Sequence, residues 1–166
     1  MRAGIALGAN LGGRRAGLTT ARAEIFRVPG VEAPFLASSL YETEPVDCEM
    51  GAAKFLNAVV EIDFAGAAAD LLRELQRIEQ SLGRPAAHKR NRSRTIDLDL
   101  LYLGHESLAE PGLTLPHPRL GSRAFVLQPL AEIRPDLILP NESETIRQLA
   151  DKLPATPSVV RLPLRW

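Results

Sequence analysis

Apolar positions along this chain shift between a strand-like repeat and a helical one, and the shifts lay out its elements. The run Ala3 to Ala9 predicts a first strand, closed by the turn-rich segment Gly8-Ala9-Asn10-Leu11-Gly12-Gly13. Leu18, Ala21, Ile25 and Phe26 then recur at helical spacing over residues 14–27, and Pro29-Gly30 stops that helix. Phe35 to Tyr41 predicts a second strand. Phe55 to Phe64 predicts a third, with Leu56, Ala58, Val60 and Ile62 on one face. A helix follows from about Ala67 to Leu82, its stripe made of Leu71, Leu72, Leu75, Ile78 and Leu82, with Gly83 closing it. A further strand ends at Gly104. Pro116-His117-Pro118 marks a break, and helices are expected over 123–133, stopped near Pro135, and over 144–152. A Pro-rich tail runs from about 153 to 166.

The order β-α-β-β-α-β is the ferredoxin-like arrangement, so the expected class is α+β: an antiparallel sheet with helices packed on it and additional C-terminal helices. The 166 residues favour a single domain over 1–166. Two stretches resist assignment, 44–54 and 84–93, and loops of that length are often functional, for instance as lids.

The fourth strand carries the most informative pattern, Arg94-Thr95-Ile96-Asp97-Leu98-Asp99-Leu100-Leu101-Tyr102. Strand side chains alternate, so Asp97 and Asp99 share one face about 6.5–7 Å apart, while Leu98 and Leu100 take the other. Two carboxylates held this close repel unless something neutralises them, and a hard cation with oxygen ligands such as Mg²⁺ would do so. Read in isolation, the pair is equally a solvent-facing edge.

Charge sharpens this picture. Lys+Arg and Asp+Glu both number 20, which gives no bias toward nucleic acid or an anionic membrane. Residues 84–99 nevertheless concentrate Arg84, Lys89, Arg90, Arg92 and Arg94 beside the two aspartates. A compact anion fits such a local field better than a long polyanion does. Carboxylate-held metal beside arginines is equipment for phosphoryl transfer. The Gly8-to-Gly13 turn lacks the Gly-Lys-Ser/Thr ending of a P-loop, so a nucleotide must be held another way. The single Cys48 allows no internal disulfide and reads as inert. With no signal-like or membrane-length apolar run, the expected setting is cytoplasmic. A nucleic-acid-binding ferredoxin-like module is the rival of another class. It lacks a clear aromatic stacking platform.

Several separate segments, in order, resemble the 6-hydroxymethyl-7,8-dihydropterin pyrophosphokinases of folate biosynthesis. They are Leu7-Gly8-Ala9-Asn10-Leu11-Gly12, Ser39-Leu40-Tyr41-Glu42-Thr43, Phe55-Leu56-Asn57-Ala58, Gln76-Arg77-Ile78-Glu79 and Gly83-Arg84. The Arg94–Leu101 block, Pro116-His117-Pro118-Arg119 and Arg123–Leu130 complete the set, which spans about residues 4–140. The resemblance implies transfer of pyrophosphate from ATP to the pterin's hydroxymethyl group, with AMP as the second product. It also implies two Mg²⁺ ions on Asp97 and Asp99, Arg84 and Arg94 as phosphate clamps, and Lys89 and Arg90 on a loop closing over the nucleotide. Gln76, Glu79, Thr114, His117 and Arg123 then fall on the ATP side, and Thr43, Val46, Phe55, Asn57 and Phe125 around the pterin. Asn10 is expected to cap the first helix or to order the loops. The partners implied are small molecules only, with no nucleic acid or membrane, and the chain is expected to act as a monomer. The sequence departs from the family pattern at Arg92, where a Gly is usual, and at Asn91, where an aromatic residue is usual. Ala86 and Gly112 stand where arginines are common.

Overall fold

The computed structural model describes residues 1–45, 53–83, 95–155, 158–163 and 166. Its elements are β1 (Arg2–Ala9), α1 (Arg14–Ile25), β2 (Val31–Ala37), β3 (Tyr41–Thr43), β4 (Phe55–Phe64) and α2 (Ala68–Ser81). They continue with β5 (Asp97–Leu103), β6 (Leu108–Glu110), β7 (Leu113–Leu115), α3 (Ala124–Ile133), α4 (Ile146–Lys152) and β8 (Val159–Arg161), with a 3-10 turn at Leu120–Ser122. The main sheet runs β5-β1-β4-β3-β8, with β2 also paired to β4, and its pairings are antiparallel. This is the ferredoxin-like core expected from the element order.

Alternation along the central strand β4 feeds two separate cores. Leu56, Ala58, Val60 and Ile62 join Ile5, Leu7, Leu98 and Leu100 under α1 and α2. The helix stripe meets them there, since Leu71, Leu75 and Ile78 are essentially fully buried. Each such side chain contributes about 1.5–3 kcal/mol of burial. On the opposite face Val59 packs with Leu101, Tyr102 and the apolar sides of α3 and α4. Helices therefore cover one face fully and the other only toward one end. The uncovered end of that second face carries Asp97, Asp99 and Asn57.

A bulge makes this division sharper. The β1–β5 register runs from Ile5↔Leu100 to Gly4↔Tyr102, so Leu101 is an extra residue. Leu101 and Tyr102 both enter the second core as a result. The Tyr102 ring lies directly over Gly4, where any Cβ would collide with it. Its hydroxyl donates to the carboxylate of Glu61, which is fully buried. Arg2 Nε and Arg134 Nη1 also reach Glu61, each at 2.7 Å. Burial first, then the Glu61 charge, pushes the Tyr102 phenol far above its ordinary range.

Three expectations change. The strand expected over Phe35–Tyr41 is two strands, β2 and β3, separated by Ser38-Ser39-Leu40. Ser38 there accepts the Val59 N–H on its hydroxyl oxygen at 3.0 Å, so a side chain replaces a rung of the ladder. The tail contains a strand: β8 pairs with β3, and Arg161 bonds Glu132 at 2.7 Å. Trp166 then donates to the Ser38 carbonyl at 2.7 Å beneath the Arg22 guanidinium. Asn10 does not cap α1, whose N-cap is Gly13 with no side-chain bond. It donates instead to the Ala53 carbonyl at 3.2 Å, which is the loop-ordering role. Arg14 supports it by donating to the Lys54 carbonyl at 2.7 Å.

Candidate functional site

Strand register builds the site. Gly8 on β1 lies opposite Asn57 of β4 on one side and Asp97 of β5 on the other. One step along, Ala6 lies between Val59 and Asp99. The first row has no side chain at its centre. A Cβ on Gly8 would sit 3.2 Å from Asn57 Oδ1 and 4.0 Å from Asp97 Cβ. The missing methyl leaves a trough floored by backbone, with an amide on one wall and a carboxylate on the other.

The amide is held in place. Asn57 is buried and donates through Nδ2 to Thr43 Oγ1 at 2.8 Å. Its Oδ1 is thereby directed over Gly8. Phe55 falls on the same face of β4 by alternation and is half-buried opposite Thr43 in the β3 register. Phe125, at the first turn of α3, is also half-buried. The Arg123 guanidinium lies 5.4 Å from its ring centroid.

Arg123 also pairs with Asp99 at 3.3 Å, linking the aromatic side of the site to the carboxylates. His117 stands beside them. The Arg119 backbone N–H donates to His117 Nδ1 at 3.1 Å, so the neutral ring carries its proton on Nε2. Burial holds this imidazole below its ordinary value, and Arg123 and Arg119 add to the effect while Asp99 opposes it. At neutral pH His117 is an uncharged donor through Nε2.

On the outer side of β5 a cavity of about 520 Å³ opens, lined by Leu72, Leu100, Asp99, Thr114, His117 and Arg119 among others. The β6–β7 hairpin, which sequence reasoning missed, provides one wall. Gly112 at its turn, φ +84°, faces open space. Thr114 and Gln76 are exposed. Glu79, one turn beyond Gln76, is buried, and its Oε1 accepts the Leu98 N–H at 2.7 Å.

The expected site residues thus divide in three. Asp97, Asp99, Asn57, Thr43, Phe55, Phe125, His117 and Arg123 converge on one end of one sheet face. Thr114 lines the cavity on the outer side of β5, and Gln76 and Glu79 stand on α2, which packs against that strand. Val46, Arg84, Lys89, Arg90 and Arg94 lie outside the described residues, as do Cys48, Ala86, Asn91 and Arg92. Sequence reasoning did not single out Gly8 or Arg119, although both sit inside quoted motifs. Only strand pairing shows that Gly8 is the trough floor.

The donor set suits Mg²⁺. Two partly exposed carboxylates supply hard oxygen ligands, and among the described residues no third His, Cys, Asp or Glu joins them in a metal cluster. Mg²⁺ keeps several positions for water and phosphate oxygens and is held by one or two carboxylates in such sites.

A ferredoxin-like sheet with an aspartate pair at its edge, facing a cavity on one side and an amide-walled trough on the other, is an arrangement suited to phosphoryl transfer. Comparison with known proteins narrows it. The model of the family 7,8-dihydro-6-hydroxymethylpterin-pyrophosphokinase matches residues 4–135. A 2-amino-4-hydroxy-6-hydroxymethyldihydropteridine pyrophosphokinase of Pseudomonas aeruginosa is 39% identical over 162 residues, covering 96% of this chain and 95% of that one. The Bacillus subtilis protein of the same name is 44% identical over 129 residues, 78% of this chain and 75% of its own. Among solved structures, an HPPK-DHPS in complex with substrates superposes with a TM-score of 0.73 at 13% identity, over 90% of this chain and 42% of that one. That likeness shows the fold, and the chain spans about two fifths of the fused protein. The chain belongs to the 7,8-dihydro-6-hydroxymethylpterin-pyrophosphokinase family. The family reaction moves pyrophosphate from ATP to 6-hydroxymethyl-7,8-dihydropterin in folate biosynthesis.

Proposed function

We propose that this chain carries out that reaction as a Mg²⁺-dependent enzyme, one domain over 1–166, acting as a cytoplasmic monomer. Among the described residues no helix is long and apolar enough to cross a membrane. The single supporting observation is the row Asn57–Gly8–Asp97, which sets a backbone-floored trough directly beside the paired carboxylates.

The reduced pterin lies over Gly8. Asn57, backed by Thr43, reads its amide-like edge, Phe55 and Phe125 supply flat apolar surface for the ring, and Val46 is a further pterin contact. ATP enters from the cavity side of β5, against Gln76 and Thr114, with its phosphates toward His117 and Arg123. Asp97 and Asp99 would hold the two Mg²⁺ ions, which would supply charge neutralisation at the phosphates and make the attacking hydroxyl easier to deprotonate.

The chain's own groups then have distinct tasks. Arg123 neutralises Asp99 at 3.3 Å in the ligand-free protein and is positioned to turn to phosphate when that carboxylate finds another cation. His117 donates from Nε2 to a phosphate oxygen without adding charge. Arg84 and Arg94 clamp the triphosphate with forked hydrogen bonds, and Lys89 and Arg90 assist on the nucleotide side. The hydroxymethyl oxygen bonds to the β-phosphorus, the bond from that phosphorus to the α-phosphate oxygen breaks, AMP leaves, and the proton passes to water. Catalysis of this kind rests mainly on alignment and charge.

The test is a nucleotide assay with ATP, Mg²⁺ and the pterin alcohol. AMP formed only with pterin present supports the reading; ADP as product contradicts it. Asp97→Asn and Asp99→Asn each lower turnover by roughly a hundredfold or more with the fold retained, and near-wild-type rates in either refute its metal role.

A further inference from the structure

The two aspartates sit on an edge strand, and an edge strand is held by hydrogen bonds on one side only. On its inner side β5 pairs with β1 through Gly8↔Asp97, Leu7↔Leu98 and Ala6↔Asp99. On its outer side the Leu98 N–H, lying between the two aspartates in sequence, points away from β1. A buried amide left unpaired there would be costly. Glu79 takes it, at 2.7 Å, from the last turns of α2. The next outer bond is at Leu101, whose carbonyl accepts the His117 N–H at 2.8 Å.

Glu79 is only 6% exposed. Its neighbours Leu75 and Ile78 on α2 are buried in the core beneath Leu98 and Leu100, so the carboxylate approaches β5 from the side opposite Asp97 and Asp99. It cannot complete their ligand set, and among the described residues no three-carboxylate cluster forms. What it can do is fix the pleat at Leu98. That pleat sets the direction of both flanking Cα–Cβ bonds and so the separation of the two carboxylates.

We propose that Glu79 is a positioning residue for the aspartate pair, acting through the Leu98 backbone amide. The inference rests on the metal-binding role assigned above to Asp97 and Asp99. The bond from Glu79 holds the edge strand in the geometry that accepts divalent ions, before any ion arrives.

Glu79→Gln keeps an acceptor oxygen at the same reach, Glu79→Asp keeps the charge but withdraws it by one methylene, and Glu79→Leu removes the acceptor. Amide hydrogen exchange at Leu98, followed by NMR on the ligand-free protein, reads the bond directly. Mn²⁺ binding in the presence of a non-hydrolysable ATP analogue, followed by electron paramagnetic resonance, reads its consequence. In Glu79→Asp and Glu79→Leu the Leu98 amide exchanges about tenfold faster relative to Ile62 of the central strand, and Mn²⁺ affinity falls by about the same factor. Glu79→Gln retains both protection and affinity. The proposal is overturned by unchanged Leu98 exchange in Glu79→Asp, or by a Glu79→Gln protein that loses Mn²⁺ as fully as Glu79→Leu does. Should Glu79→Leu not fold, the Gln and Asp variants carry the same decision. Asp97→Asn serves as the separate control: wild-type Mn²⁺ binding in that variant would remove the functional reading while leaving the exchange result intact.

Discussion

Gly8 offers the most direct test of where the pterin sits. It lies in the middle of β1 between Asn57 and Asp97, and no positive φ demands glycine there. An alanine Cβ would stand 3.2 Å from Asn57 Oδ1, tighter than an ordinary contact by a few tenths of an ångström, and 4.0 Å from Asp97 Cβ. Relief of glycine's backbone entropy favours alanine by roughly 0.5–1 kcal/mol in a strand, which about offsets that small push on Asn57. Stability should therefore change little, and the melting temperature should stay within about 4 °C of wild type. Activity should not be spared. The added methyl raises the trough floor by about one carbon–carbon bond length, and a misplacement of roughly 1 Å in an aligned reaction costs about a hundredfold. That corresponds to about 2.7 kcal/mol of lost transition-state stabilisation. We expect kcat/KM for the pterin to fall about a hundredfold in Gly8→Ala and further in Gly8→Val. Binding of a non-hydrolysable ATP analogue should hold within about twofold, because the cavity lies on the outer side of β5. Steady-state AMP formation against pterin concentration, calorimetry with the analogue and a thermal melt give the three readings. Wild-type pterin kinetics in Gly8→Ala, or an equal loss of nucleotide binding, would refute the placement of the ring over Gly8.

Two further outcomes concern the scaffold. Glu132 ties α3 to β3 and β8, accepting from Ser39 N and Oγ, the Tyr41 hydroxyl and Arg161. Burial alone would raise its pKa, but these bonds hold it below the ordinary 4.5, so its contribution is present above that value and lost as pH falls through the folded value. Glu132→Gln should melt lower than wild type at pH 7 and show a flatter decline below about pH 4.5; parallel curves in that acid window would contradict this. Glu61→Leu leaves Arg2, Arg134 and the Tyr102 hydroxyl facing an apolar side chain, and should lower unfolding stability by about 3 kcal/mol in urea titration, whereas a loss under about 1 kcal/mol would show that the network is dispensable.

Much of the molecule was legible in the chain. The strand expected at Phe55–Phe64 is β4 with those same ends, and the helix expected over Ala67–Leu82 is α2, Ala68–Ser81. Both have long apolar patterns that bury only one way. The paired aspartates were legible for the same reason, because a two-residue spacing within a strand settles their common face without reference to anything distant. Short elements escaped. β6, β7 and β8 each have three residues, too few for a period, and they exist because a partner strand completes their hydrogen bonds.

What the amino-acid order determined by itself was local: which segments are strands and helices, the shared face of Asp97 and Asp99, and the motifs that mark the family. Only the tertiary structure decided that Gly8 lies between Asn57 and Asp97, that Arg123 closes on Asp99 from 24 residues away, and that Glu79 grips the Leu98 amide. Each of those contacts joins segments far apart in the chain, and strand register and helix docking, set by the whole core at once, fix them. A one-residue slip of β1 against β4 would preserve the residues and destroy the trough, because every side chain would turn to the other face.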